Sequence, residues 1–319
     1  MSTIIRASNA GKVTTTLPAS VMSTCNLTKV FGSTVVVSDI TLDVPTGEVF
    51  GFLGPNGAGK TTVIKMLVGL IRPSQGLGHV LGAPLGDRTA RRHLGYLPEL
   101  FRYQDWLSAW EVCSFHARLA DIDCTQRASE IKRVLATVDL LSRAEDRVGT
   151  FSKGMQQRLG LAIALLGHPR LILLDEPTSA LDPVGRYQVR EIIRQLRTTG
   201  TTVFLNSHLL SEVELVCDRI AVINHGRIIT TGKLEDLLGS DQQVRIRATG
   251  VQQEVLAAIQ QFTTLQQQES WFTLTNLSEE RIPDVISLLV QTGARVYSVE
   301  VRHTSLEERF LQLLGDSSL

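Results

Sequence analysis

Apolar residues in this chain fall into short blocks divided by glycine- and proline-bearing turns, and their spacing changes along the sequence. Val49-Phe50-Gly51-Phe52-Leu53 and Leu171-Ile172-Leu173-Leu174 are continuous apolar runs of strand length, as expected of strands covered on both faces. Upstream, the β-prone runs Thr34-Val35-Val36-Val37 and Glu48-Val49-Phe50 alternate with turn signals at Gly32, Pro45 and Gly47. A helix is expected from Thr62, then a turn-rich connection through Pro73, Gly76, Gly78, Gly82, Pro84 and Gly86. Ser108-Ala109-Trp110-Glu111 is a capping box opening one helix, and Asp123 with Gln126 opens a second running to about Leu140. Helix and strand then alternate: a helix from about Lys153 to Leu166, the strand Leu171–Leu174, a helix near Val184–Thr198, a strand at Thr202–Leu205, a helix at Leu210–Cys217 and a strand at Ile220–Ile223. That order predicts an α/β fold with a mostly parallel sheet covered on both sides.

After Gly239 the composition becomes glutamine-rich and the order changes to β (Gln243–Ala248), α (Gln252–Phe262), β (Thr263–Gln267), β (Ser270–Thr275), α (Glu279–Gln291), β (Ala294–Val301) and a closing helix from Ser305. A β-α-β-β-α-β order predicts a small split βαβ, ferredoxin-like unit. The expected organisation is a disordered tail at 1–20, a large domain at 21–239 with a helical insert at about 100–150, and an accessory domain at 240–319. No fixed-period repeat is present.

Composition narrows the class. With 43% hydrophobic and 20% charged residues over 319 positions, the chain reads as soluble and globular, with room for more than one core. Lys+Arg and Asp+Glu balance at 32 each, so no nucleic-acid partner is expected. The longest apolar stretch, Leu159–Leu174, is broken by Gly167-His168-Pro169-Arg170 and is too short to cross a bilayer. The first 20 residues lack the apolar centre of a signal peptide. Cys25, Cys113, Cys124 and Cys217 show no paired spacing and read as reduced thiols of a cytosolic protein rather than metal ligands.

The chemistry concentrates in three strings. Gly54-Pro55-Asn56-Gly57-Ala58-Gly59-Lys60-Thr61 joins a buried strand to a helix, the context a phosphate-binding loop requires. Its glycines let backbone N–H groups converge on phosphate oxygens at the positive end of the helix, Lys60 neutralises the β- and γ-phosphates, and the Thr61 hydroxyl completes a magnesium shell. Asp175 and Glu176 end a fully apolar strand, where the first carboxylate would hold magnesium and the second polarise the attacking water. Between them lies Phe151-Ser152-Lys153-Gly154-Met155-Gln156-Gln157-Arg158, with a hydroxyl and a glycine at a helix start.

Together these strings resemble the ATP-binding cassette (ABC) ATPase family from about Cys25 to Leu238. Gly54–Thr61 is similar to its Walker A motif, Leu171–Glu176 to Walker B, Ser179-Ala180-Leu181-Asp182 to the D-loop, and His208 to its switch histidine. Residues 151–158 depart from the usual Leu-Ser-Gly-Gly-Gln signature but keep Ser152 and Gly154, a variant that looks like the bacterial exporter branch, the partners of multidrug-type permeases. Glu99, in Tyr96-Leu97-Pro98-Glu99, stands where the family carries the Q-loop glutamine. The string Ser305-Leu306-Glu307-Glu308-Arg309-Phe310-Leu311 is similar to the ending of accessory domains on such exporter ATPases, and is also an ordinary capping box.

The resemblance implies ATP and Mg2+ as cofactors. It implies nucleotide contacts from Phe31, Gly54, Pro55, Asn56, Gly57, Ala58, Gly59, Lys60, Thr61, Thr62, Ser152, Gly154 and Asp182, with Phe31 either stacking on adenine or packing in the core. Catalysis falls to Glu176 and His208, and magnesium to Thr61, Asp175 and Glu99. The implied fold is a P-loop NTPase core with an antiparallel β subdomain and an inserted helical subdomain. The implied function is an ATP-hydrolysing motor at the cytoplasmic face of the plasma membrane. It would pair head to tail with an identical or related ATPase subunit around two MgATP and drive a separate transmembrane permease, for export. A soluble ABC-type ATPase acting on DNA or ribosomes is the alternative. Against it stand a single cassette, only 115 positions between Lys60 and Asp175 without sustained heptads, and the neutral charge. A guanine-reading Asn/Thr-Lys-x-Asp string is lacking. Trp106 and Trp110 lie beside Phe101, Tyr103 and Leu107, either as a small core for the insert or as a groove for a permease helix.

Overall fold

The computed structural model describes residues 20–238, 242–261, 263–275, 277–303 and 305–316. The expected tail lies outside these residues except for Ser20, which opens the first strand. Strands β1 (Ser20–Phe31) and β2 (Thr34–Pro45) form an antiparallel hairpin of twelve-residue strands, longer than the short runs expected. The polar residues that look like interruptions are bulges. Asn26 and Asp39 take positive φ of 52° and 61° and hydrogen-bond one another side chain to side chain, so pairing continues past them.

Strand β3 (Val49–Leu53), buried at all five positions, runs through the phosphate loop into helix α1 (Lys60–Leu67). The turn-rich connection that follows holds β4 (Gln75–Val80), β5 (Ala83–Pro84) and α2 (Arg88–Arg91). Gly76 is not a turn there. A Cβ on it would lie 2.2 Å from the Asn26 carbonyl oxygen, so glycine permits the close approach of β4 to β1. The first sheet has the order β2-β1-β4-β5.

Strand β6 (Leu94–Leu97) leads into the helical insert of α3 (Ala109–Leu119) and α4 (Cys124–Thr137), which pack on α5 (Lys153–Ala164). The capping box at Ser108 and Glu111 is formed in both directions. The chain then alternates: β7 (Leu171–Asp175), α6 (Pro183–Thr198), β8 (Thr202–Asn206), α7 (Leu210–Val216), β9 (Arg219–Asn224). An edge strand β10 (Arg227–Lys233) and the short α8 (Leu234–Leu238), both unforeseen, follow. The strand turns back through His225 and Gly226, both at positive φ.

The six-stranded sheet has the order β10-β9-β3-β8-β7-β6, parallel except at its β10 edge. Alternation within its buried strands sends side chains to two cores. Phe50, Phe52 and Phe204 face α1 and the antiparallel sheet, with ring centroids 5.4–5.8 Å apart about Phe204; such pairs add about 1 kcal/mol each beyond buried area. Val49, Leu53, Ile172, Leu174, Val203 and Leu205 face α5, α6 and the insert.

The last part contains β11 (Gln242–Thr249), α9 (Gln253–Gln260), β12 (Thr264–Gln268), β13 (Trp271–Thr275), α10 (Ile282–Gln291) and β14 (Arg295–His303). Its sheet, ordered β12-β13-β11-β14 and wholly antiparallel, is the split βαβ arrangement, with its own core around Val244, Ile246, Phe272 and Leu274. Helix α10 begins at Ile282 rather than Glu279, because Pro283 suits its first turn and residues 279–281 form a separate 3-10 turn. Helix α11 (Leu306–Asp316) leaves this unit and packs on α7: Leu306 is buried in the core of the large domain, and its N–H donates to Glu214 Oε2 at 3.1 Å.

Candidate active site

The loop between β3 and α1 is shaped by its glycines. Gly57 and Gly59 take φ of 82° and 100°, in the left-handed region where a side chain is strained. A Cβ on Gly54 would meet the Ile223 carbonyl oxygen at 2.2 Å. Within the loop the Ala58 N–H donates to the Pro55 carbonyl at 3.2 Å. Lys60 folds back, its Nζ donating to the carbonyls of Gly54 at 2.8 Å and Pro55 at 3.0 Å. Burial pulls its pKa down, against the opposing pull of Glu176, Asp175 and Glu99. Three carboxylates therefore favour the charged form of this ammonium.

Asp175 closes β7 and is 1% exposed. Its Oδ1 accepts a hydrogen bond from Asn206 Nδ2 at 2.5 Å, and its Oδ2 is buried without a partner. Burial raises its pKa, and nearby Glu99 adds to the rise. Glu176 stands at φ +55°, a conformation a non-glycine residue adopts at a cost of about 1–3 kcal/mol and keeps where surrounding bonds over-determine it. Those bonds are present: its N–H donates to the Asn206 carbonyl at 2.9 Å, and its own carbonyl accepts from Ser179 Oγ at 3.1 Å and Gln157 Nε2 at 3.3 Å. The result aims its carboxylate at His208, with Nδ1 to Oε2 of 2.7 Å. Burial raises the Glu176 pKa, with the His208 ring and Lys60 working against it.

Asn56, Gly57, Gly59, Lys60, Thr61 and Thr62 share one cleft of about 420 Å3 with Glu99, Glu176 and His208. The chain thus brings the phosphate loop, the strand-end carboxylate and the histidine to the carboxyl ends of the parallel strands, where open α/β sheets bind ligands. The donor set suits a hard divalent cation: Thr61 and Glu99 line the cleft, and Asp175, which is buried and does not line it, keeps an Oδ2 without a hydrogen-bond partner.

Other expected residues lie elsewhere. Ser152 and Gly154 sit at the start of α5, where Ser152 Oγ caps the helix by accepting from the Met155 N–H at 3.2 Å, and neither lines the cleft. Asp182 caps α6, accepting from the Gly185 N–H at 2.8 Å. Phe31 is 48% exposed at the end of β1 with Lys29 Nζ 4.9 Å from its ring centre, so the core-packing alternative is not met. Phe101, Tyr103, Leu107 and Trp110 pack partly buried against the helices of the insert, whereas Trp106 is 70% exposed.

Sequence reasoning missed Asn206 and the hydrogen bonds that Ser179 and Gln157 make to the Glu176 carbonyl. Asn206 carried a readable signal, a polar residue ending an apolar strand two positions before His208. Its pairing with Asp175 was not readable, because it follows from the register of β7 on β8.

The fold and this site define a P-loop nucleotide hydrolase of the ATP-binding cassette type. The chain matches the ABC transporter family over residues 37–179. It is 39% identical over 295 residues to an uncharacterised ABC transporter ATP-binding protein of Synechocystis, covering 88% of this chain and 78% of that protein. It is 33% identical over 297 residues to the Nod factor export ATP-binding protein I of Cupriavidus metallidurans, covering 91% and 96% respectively. A solved ATP-binding subunit of an ABC transporter superposes with a TM-score of 0.64 at 29% identity, covering 68% of this chain and 91% of that one. The chain belongs to the ABC transporter ATP-binding proteins, and it is an ATPase. Among the described residues, no helix is long and apolar enough to cross a membrane.

Proposed function

We propose that this chain is the ATP-hydrolysing motor of an exporter, acting at the cytoplasmic face of the plasma membrane on a separate transmembrane permease. The observation that carries the reading is the Glu176–His208 contact within the cleft that also holds Lys60 and Thr61. Lys60 leaves the loop carbonyls for the phosphates, and the loop N–H groups take the remaining phosphate oxygens. Glu176 orients the attacking water and accepts its proton, while His208 keeps that carboxylate in place. Thr61, Asp175 and Glu99 would hold magnesium, which when bound with ATP spreads the negative charge of the phosphates. Phe31, exposed at the end of β1, offers its ring to adenine.

Ser152, Gly154 and Asp182 lie outside the cleft of their own chain, which supports a head-to-tail pair in which they complete the partner's site. The naming of one relative as a Nod factor export protein supports the direction of transport. Trp106, exposed and close in sequence to the partly buried Phe101 and Trp110, supports a groove for a permease helix after the Glu99 loop. The separate core running from Val244 to Val296 supports a division into residues 21–239, with the insert at about 100–150, and 240–319, from which α11 returns to pack in the large domain's core.

The test is Glu176→Gln. ATP binding persists, turnover falls by about 10²–10⁴-fold, and gel filtration with ATP shows a trapped dimer. A variant that stays monomeric with ATP and turns over within a few-fold of the parent removes Glu176 from the role and the dimer from the mechanism.

A further inference from the structure

The C-terminal sheet is covered on one face only. Val244, Ile246 and Ala248 of β11 are buried against α9 and α10, so the alternating Arg245, Arg247 and Thr249 belong to the opposite, open face. Strand register places Trp271 across from Arg247 on that face, and a bulge in β14 brings Tyr297 beside it. The Arg245 guanidinium lies 4.6 Å from the Trp271 ring centre, and that of Arg247 lies 5.9 Å from Trp271 and 5.6 Å from Tyr297. Thr249 Oγ1 donates to the Tyr297 hydroxyl at 3.4 Å. Arg245 stands across from Glu300 of β14, and Arg247 across from Ser298.

We propose that this open face docks an extended acidic segment of a partner protein, one carrying carboxylates at alternate positions. Register sets Glu300 across from Arg245, so this face carries the arginines Arg245, Arg247 and Arg295 against that one carboxylate and is a net positive surface with Arg245 and Arg247 held against aromatic rings. The Thr249 hydrogen bond and then the Arg295 and Arg247 charges pull the Tyr297 hydroxyl pKa down, as expected of such a field. The rings fix the guanidiniums, so less side-chain freedom is lost when their forks meet a carboxylate. Same-face residues two apart on a strand are about 7 Å apart, and so are the carboxylates of an extended chain with acids at every second position. Trp, Tyr and Arg are also the residues that dominate protein interfaces.

The same geometry argues against the other occupants. A single-stranded nucleic acid needs open rings for base stacking, and here Arg245 lies over Trp271 and Arg247 beside Tyr297. A second copy meeting this face about a two-fold axis sets two net positive faces together, since Arg245, Arg247 and Arg295 outnumber Glu300. A lipid surface is met by clusters of lysine and arginine, and lysine is absent from the described strands of this sheet.

The experiment uses the full chain and a fluorescein-labelled peptide of alternating Glu and Thr, followed by anisotropy. A Lys–Thr peptide, oligothymidylate and phosphatidylglycerol vesicles are measured alongside. The Glu–Thr peptide is expected to bind, to weaken with added salt, and to lose about tenfold or more in affinity in the Arg245→Gln/Arg247→Gln double variant. Arg245→Lys/Arg247→Lys falls between, keeping charge but not the planar fork. ATP turnover stays at the parent level in both, which reports that the chain is folded. Tighter binding of oligothymidylate or vesicles than of the Glu–Thr peptide overturns the proposal, as does equal peptide affinity in the glutamine variant.

Discussion

His208 Nδ1 lies 2.7 Å from Glu176 Oε2, and the residue that carries this carboxylate is held at φ +55°. A left-handed glutamate is retained because its N–H and carbonyl are both tied, the first to the end of β8 and the second to Ser179 and Gln157. The backbone therefore sets where the carboxylate starts, and the histidine sets where it ends. His208→Ala should leave ATP affinity nearly unchanged and lower turnover by about 10²-fold, read by phosphate release beside a nucleotide-binding titration. Equal losses in both measurements would make the histidine a phosphate contact instead.

Acidity links this pair to stability. Burial raises the pKa of Asp175 and of Glu176, so the nucleotide-free folded chain holds these protons more tightly than the unfolded chain. Their contribution to stability is complete below the ordinary carboxylate pKa of about 4 and is lost as pH rises through the raised folded values. Glu176→Gln should therefore melt higher than the parent at neutral pH without nucleotide. The gain should shrink as the buffer approaches the ordinary carboxylate range. Melting curves across that series check the sign.

Asn206 holds Asp175 by one hydrogen bond and leaves the other oxygen open. Asn206→Ala should raise the magnesium concentration needed for nucleotide binding by about 10-fold, with nucleotide affinity in chelator unchanged. A magnesium titration monitored by a fluorescent ATP analogue separates the two. An unaltered midpoint assigns Asn206 to strand packing alone.

The aromatic cluster of the insert divides into two roles. Trp106→Ala should leave the melting temperature within error, because the ring is mostly in solvent, and should release the subunit from permease-containing membranes. Phe101→Ala should cost about 2 kcal/mol, since its ring packs on the insert and lies 5.2 Å from that of Tyr103. Thermal melts and membrane co-sedimentation of both variants read the difference.

Residue order was enough to locate the loop at Gly54–Thr61, the strand-end carboxylates, and nearly every element of the split βαβ unit, because each rests on local rules. Glycine frees backbone, an unbroken apolar run buries a strand, and a serine with glutamate three positions on caps a helix. The long hairpin was not legible, since its pairing continues past Asn26 and Asp39 only through bulges that bond across the two strands. Gly76 reads as a turn but serves the approach of β4 to β1.

What the sequence by itself determined is the chemistry on offer: a lysine, a threonine, two carboxylates and a histidine in an order that resembles one family. The tertiary structure decided which of these meet. Asp175 finds Asn206 because β7 lies in register beside β8, and Glu176 finds His208 because those strands end together. Arg247 meets Trp271 and Tyr297 through the pairing of β11 with β13 and β14. Pairing register is a property of two segments far apart in the chain, set by their shared burial, so no local pattern in either one contains it.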